Sequence, residues 1–234
     1  VLDQVGLLDP AGDGSQVHDL TLRVSECARH IHHVPKILYQ WRVSSGSTAG
    51  GIEGSKPYAT LAGIRAVENH LSRLGLSATV DQARRPATYR VKYRVPEDEP
   101  LVSIVIPNKD SLAVLRQCVD SILDKSTYDA YEIVIVENNS TEVETFAYYE
   151  EVAKDSRVRC VFFDGPFNFS KIINQGVEAA KGEYCILLNN ATEVITPDWI
   201  ETMLGLRARQ DVGAVGVKPY YPDDTIQHAG IGHA

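Results

Sequence analysis

The feature that most constrains this chain is a set of short apolar runs between Val102 and Val217, separated by stretches with helical patterning. Val102-Ser-Ile-Val-Ile106, Glu132-Ile-Val-Ile-Val136, Val158-Arg-Cys-Val-Phe-Phe163, Tyr184-Cys-Ile-Leu-Leu188 and Val212-Gly-Ala-Val-Gly-Val217 each have the length of a buried strand. Between them, Leu112–Leu123, Ser170–Ala180 and Pro197–Arg209 repeat apolar residues at helical spacing, the last with Thr196 as its expected cap. Continuous apolar strands alternating with helices imply an α/β fold: a mainly parallel sheet of five strands, covered on both faces. Ligands of such sheets sit at the carboxyl ends of the strands.

The first hundred residues follow a different pattern. Asp19–Arg29 carries Leu20, Val24 and Cys27 on one helical stripe, after a loop marked by Gly12, Gly14 and Ser15. Val34–Val43 reads as a strand, with Pro35 confining it to a strand start or an edge. Ser44–Gly51 is Gly/Ser-rich and reads as a flexible stretch. Tyr58–Leu74 is an amphipathic helix with Gly75 as its stop, Ala78–Val80 and Tyr89–Val95 are short strands, and Pro96–Pro100 is a polar linker.

Composition excludes several classes of partner. A formal net charge of -8 provides no basic face for nucleic acid. No apolar run approaches the length of a bilayer span, and no charged segment followed by an apolar one opens the chain as a signal peptide would. The expected localisation is cytoplasmic, or peripheral to the inner face of a membrane. Cys27, Cys118, Cys160 and Cys185 lack CxxC spacing and read as reduced thiols. His30, His32 and His33 read as a solvated cluster at a helix end rather than a metal site. The chain opens on Val1 without a Met, and is expected to be a fragment.

Polar residues gather where the strand-end rule puts a ligand. Asn108, Lys109 and Asp110 follow the first run, and Glu137 to Ser140 the second. Asp164 and Pro166-Phe-Asn-Phe-Ser170 follow the third, and Asn189, Asn190, Ala191, Thr192 and Glu193 the fourth. Polar loops and helix caps explain any one of these groups; recurrence after four successive strands points to a site.

Pro100–Asp110, Ile133–Ser140, Pro166–Ser170, Gly182–Asn190 with Thr192–Ile195, and Asp223–Gly230 together resemble the family 2 glycosyltransferases, most closely the large bacterial proteins that build rhamnose-rich and other cell-surface polysaccharides. The resemblance covers about Pro100 to Ala234. It implies a GT-A fold, a nucleotide diphosphate sugar as donor, a glycan as acceptor, inversion at the anomeric carbon, and association with membrane-borne glycan assembly machinery. It implies a donor site of Pro107, Asn108, Asp110, Glu137, Asn139, Asp164, Asn168, Ser170, Asn174, Asn189 and Asn190, in which Glu137 contacts the base and ribose. Asn189-Asn190-Ala191 occupies the place of the motif that holds a divalent cation, Mn2+ or Mg2+. Ala191 stands where an acid is expected, which leaves Asn190 and Glu193 as the candidate ligands.

Gly14–Arg23 resembles the acceptor-side motif of the same group, whose acid acts as general base on the acceptor hydroxyl. Val17 stands at that acid's position, and Asp19, two residues on, is the candidate catalytic group that orients the acceptor. By the same resemblance, residues 1–54 are the tail of a preceding transferase domain, 55–99 a connector, and 100–234 the donor-binding half of the next. Val17 and Ala191 also support an alternative, a catalytically inactive nucleotide-binding or scaffolding module.

Overall fold

The structure, a computed structural model, describes residues 2–40, 57–85, 87–207 and 209–230. Two compact units divide the chain, Val1–Arg94 and Val95–Ala234.

The first unit contains helices α1 (Leu2–Val5), α2 (Gln16–Cys27) and α3 (Pro57–Arg73), a short 3-10 turn at Pro10–Gly12, and an antiparallel pair of strands, β1 (Ala78–Gln82) and β2 (Tyr89–Tyr93). Helix α2 packs on α3, so residues far apart in the sequence form one body. The α3 terminus follows the expectation for Gly75. With φ at +68°, Gly75 takes the left-handed conformation that glycine adopts without a Cβ clash. Its N–H donates to Ser72 O and that of Leu76 to Leu71 O, the paired bonds of a Schellman stop.

The strand expected over Val34–Val43 does not form. Residues 34–40 are exposed irregular chain, and 41–43 lie outside the described residues. Pro35 lacks an N–H, and among the described residues no strand pairs with this stretch, so its β-branched and aromatic residues have no ladder to join. The Gly/Ser stretch at 44–51 also lies outside the described residues. His30, His32 and His33 are exposed.

In the second unit, β3 (Val102–Asn108), β4 (Tyr131–Glu137), β5 (Val158–Phe162) and β6 (Tyr184–Leu187) form a parallel sheet in the order β5-β4-β3-β6. Helices α4 (Leu112–Lys125), α5 (Val143–Val152), α6 (Phe169–Ala179) and α7 (Trp199–Arg207) follow the strands in turn. This matches the expectation of an α/β fold with a parallel sheet flanked by helices. Both faces are apolar, as central parallel strands require. Val102, Ile104, Ile106, Ile133 and Ile135 meet Leu115, Val119, Ile122, Tyr148, Tyr149, Ile200 and Leu204 on one face. Val105, Val134 and Val136 meet Ile172 and Ile173 of α6 on the other. Gly176 lets α6 sit down on the sheet, since a Cβ there would lie 2.4 Å from a methyl of Val105.

Several boundaries differ from the sequence reading. Strand β3 runs two residues past Ile106, because β6 pairs only as far as Val105 and the missing Pro107 N–H falls where that ladder has ended. Helix α7 begins at Trp199 rather than Pro197; its first turn closes from Thr202 N–H to Asp198 O, which displaces Thr196 from the cap. Helix α5 has no counterpart in the sequence reading. The fifth strand is absent: residues 212–217 are irregular. Gly213 and Gly216 weaken strand formation there, and no described strand pairs with the segment.

At the amino ends of the sheet a buried charge joins all four strands. Glu132 on β4 accepts from Ser103 Oγ of β3 at 2.7 Å, from Arg159 Nε of β5 at 3.0 Å, and from Lys181 N–H ahead of β6 at 2.6 Å. Arg159 also donates to Ala179 O. Burial alone would raise the Glu132 carboxyl, but the hydrogen bonds from Arg159 and Ser103 outweigh it and hold the group below its ordinary range.

Candidate donor site at the carboxyl ends of the strands

Each strand delivers a polar group at its carboxyl end, and the groups join into one lattice. Asn108 closes β3 and is 4% exposed; Glu137 closes β4 and is 2% exposed. A buried carboxylate needs donors aimed at it, and Glu137 has three: Ser140 N–H at 2.5 Å, Ser140 Oγ at 2.6 Å and Tyr149 Oη at 2.5 Å. Tyr149 comes from α5 and is 4% exposed. Burial first, and the neighbouring Glu137 second, push its phenol well above the usual tyrosine range, so it stays protonated and donates. Its oxygen accepts from Asn108 Nδ2 at 2.8 Å, and Asn108 Oδ1 accepts from Asn190 Nδ2, beyond β6, at 2.7 Å. A continuous path thus runs Glu137–Tyr149–Asn108–Asn190 across three strand ends.

A second set of bonds shapes the loops around it. Asp110 and Asn139 adopt positive φ, 49° and 56°, which Asp and Asn tolerate better than most residues. Asp110 accepts from the N–H groups of Thr141 at 2.7 Å and Glu142 at 3.0 Å, and these bonds hold its carboxyl below the usual range. Its own N–H donates to Ser140 Oγ at 2.7 Å. Asn138 and Asn139 both donate to Gly165 O, at 3.2 and 2.7 Å, tying the loop after β4 to the loop after β5.

The structure therefore unites Asn108, Asp110, Glu137 and Asn190, and joins Asn139 to the neighbouring loop. It gives other candidates different surroundings. Asn168 caps α6, its Oδ1 accepting from Lys171 N–H at 3.1 Å. Ser170 and Asn174 are exposed on α6, Asp164 is exposed after β5, and Pro107 is half-buried within β3. Asn189 is exposed and folds its Oδ1 onto Ala191 N–H at 2.9 Å. Asp19 belongs to the first unit, where it is 7% exposed and holds Arg23 at 2.7 Å. Arg23 in turn donates to the carbonyls of Val5 and Leu7, so Asp19 anchors α1 onto α2.

Both Glu137 oxygens accept hydrogen bonds from within the protein, so the carboxylate braces the strand ends. Sequence reasoning missed Tyr149 altogether. The signal was present: Thr145, Tyr148, Tyr149 and Val152 are the buried residues of α5, at the spacing of one helical face.

The cation expected of the family finds few ligands here. Glu193 is exposed and engaged by Lys125 Nζ at 2.6 Å and Gln117 Nε2 at 2.7 Å, bonds that hold its carboxyl below the usual range. Asn190 offers one neutral oxygen, and Ala191 none. Hard divalent cations take several oxygen ligands, carboxylates above all. Among the described residues no three His, Cys, Asp or Glu side chains come together. The described residues do not fit a divalent-cation site.

A parallel sheet covered on both faces, with amides and carboxylates converging at its carboxyl edge, defines an α/β domain with its polar groups where such sheets bind ligands. The chain belongs to glycosyl transferase family 2, whose model matches residues 103–231. It is 43% identical over 232 residues to protein y4gI of Sinorhizobium fredii, a match covering 97% of this chain and 25% of that protein. It is also 43% identical over 230 residues to the O-antigen biosynthesis protein RfbC of Myxococcus xanthus, covering 98% of this chain and 18% of RfbC. The chain thus spans a quarter or less of the length of these relatives. Among solved structures, the mannosyltransferase PcManGT of Pyrobaculum calidifontis, in complex with GDP-Man and Mn2+, shares 18% identity at a TM-score of 0.49, over 71% of this chain and 46% of that one.

Proposed function

We propose that residues 100–234 form the nucleotide-sugar-binding half of a transferase domain that passes a sugar, with inversion, from a nucleotide diphosphate donor to a growing cell-surface polysaccharide. Residues 1–54 then belong to the tail of a preceding domain, and 55–99 connect the two. The observation that carries this reading is the hydrogen-bonded path Glu137–Tyr149–Asn108–Asn190 across the carboxyl edge of the sheet. It holds polar groups rigid where a parallel α/β sheet binds its ligand. The likeness to the O-antigen protein RfbC supports a glycan as the acceptor. No described helix is long and apolar enough to cross a membrane, so contact with membrane-borne assembly machinery would be peripheral for this part of the chain.

The roles divide by surroundings. Asn108, Glu137 and Tyr149 position the strand ends, while Asn139, Asp164, Asn189 and Asn190 have atoms that face the ligand. Asp19 orients the acceptor side only by bracing its helix, since its carboxylate is held by Arg23. A second reading, a nucleotide-binding module without catalysis, is favoured by Val17 and Ala191, each an apolar side chain at the place of an expected acid.

A thermal melt with UDP, dTDP and GDP, each with and without Mn2+, tests the site. Ligand binding to the folded state raises the midpoint with the logarithm of ligand concentration over Kd. A rise with one nucleotide, independent of Mn2+, is the expected outcome. A cooperative melt unmoved by all three nucleotides would remove the donor site from residues 100–234.

A further inference from the structure

The stretch from Gly14 to Asp19 is held by residues much further along the chain. Gly14, with φ at +85°, lies so near α3 that a Cβ there would be 2.7 Å from the Cβ of Ala59. Ser15 Oγ donates to Ala59 O at 2.8 Å, across 44 positions of sequence. Arg65 Nη2 donates to Ala11 O at 3.1 Å and holds the 3-10 turn ahead of α2. In the first turn of α2 the His18 ring stacks on Tyr89 of β2, with centroids 5.6 Å apart and planes 10° from parallel. Tyr89 lies over Gly63, where a Cβ would collide with the phenol oxygen. At the far end of α2, Glu26 accepts from Arg73 Nε at 2.8 Å and meets His70 Nδ1 at 2.6 Å. Helix α3 thus grips α2 at both ends. These contacts also fix which way α2 is turned. Successive helix residues point about 100° apart. With His18 on Tyr89 and Asp19 only 7% exposed, the side chain before them is turned out, and Val17 is 70% exposed.

We propose that α3 and β2, in the segment the sequence marks as a connector, are the seat of the acceptor-side motif, with Ala59, Gly63 and Tyr89 as positioning residues that hold position 17 outward at a fixed place. Helix α2 cannot do this alone: Asp19 is its one buried residue, so it has no core of its own to rest on. The seat supplies that rest, and Gly63 is the notch that admits the Tyr89 ring. A group at position 17 meets an incoming hydroxyl in a constant geometry only while the seat holds. That this motif serves an acceptor rests on the function proposed above; that it is seated on α3 and β2 does not.

Two measurements decide the two parts separately. In amide hydrogen exchange of the ligand-free chain, Tyr89→Ala should speed the amides of Asp19–Arg23 roughly tenfold while those of β3 to β6 keep their wild-type rates. Tyr89→Phe keeps the stacked ring and should stay within about twofold of the wild type. Should Tyr89→Ala unfold the first unit outright, Gly63→Ala gives the graded case, since its one added methyl fills the notch; exchange on α2 should again quicken. Wild-type rates on α2 in both Tyr89→Ala and Gly63→Ala overturn the seat, whatever the chain binds. The second measurement adds a rhamnose trisaccharide as the glycan probe. It should slow exchange over Gly14–Asp19 in the wild type and not in Tyr89→Ala. Equal slowing in both proteins shows that Tyr89 does not position the motif. No slowing in the wild type removes the acceptor role from this stretch, while the ligand-free comparison still rules on the seat.

Discussion

The two units of this chain are held together by different physics. The unit from Val95 onward buries aliphatic side chains on both faces of a parallel sheet, with Ile104, Ile106, Ile133 and Ile135 fully enclosed. The unit from Val1 to Arg94 encloses little beyond Ala62, Ala66, Leu71 and Val80 among its described hydrophobic residues. It relies instead on polar ties: Asp19 to Arg23, Ser15 Oγ to Ala59 O at 2.8 Å, and Glu26 to both Arg73 and His70. A large enclosed core tolerates polar groups gathered at one edge, because burial elsewhere supplies stability. A small core must spend its polar groups on its own assembly, which is how Asp19 comes to hold a helix rather than stand free.

The contrast breaks first at the cores. Ile104→Ala should cost about 4 kcal/mol in a urea titration, near the upper part of the range for a fully enclosed isoleucine. Leu71→Ala, in the smaller core of the first unit, should cost about 2 kcal/mol. Similar losses at the two positions would mean that the first unit is as closely packed as the second. A smaller effect is expected from Glu26→Gln, about 1 kcal/mol at pH 7 for an ion pair partly open to water. Hydrogen bonding from Arg73, with His70 assisting, lowers the Glu26 carboxyl from 4.5 to about 2. A depressed carboxyl stabilises the fold fully above its unfolded value and loses that contribution as pH falls through its folded value. Wild type and Glu26→Gln should therefore differ at pH 7 and converge between pH 4.5 and 2 in urea titrations. A constant gap would assign the cost to shape rather than charge. The smallest change is Val17→Asp. With Val17 70% exposed, its melting midpoint should correspond to less than about 0.5 kcal/mol either way. A larger loss would show that this position is structural and not a vacant place for an acid.

The sheet was legible because its strands are unbroken apolar runs bounded by polar loops, a pattern that survives without tertiary context. Lone apolar runs proved weaker guides. Val34–Val43 and Val212–Val217 have strand-like composition, yet a strand exists only through its neighbours, and among the described residues these have none. Helix α5 hid for the opposite reason: its buried face is built from Thr145, Tyr148, Tyr149 and Val152, and the polar atoms of three of them mask the stripe. That omission carried over to the site. Without α5 there was no Tyr149 to donate to Glu137. Asn108 and Asn190 were found from their strand-end positions; their mutual bond links residues 82 apart, which no local pattern encodes.

The buried charge at the amino ends of the sheet gives this architecture a kind of evolvability. Glu132, gripping Ser103, Arg159 and the backbone ahead of β6, fastens the strands at the end remote from the candidate site. The loops at the other end come from four separate stretches of chain and are bonded to one another. Amides at the carboxyl edge can then be rewritten together, while the fastening that keeps the strands in register is left alone.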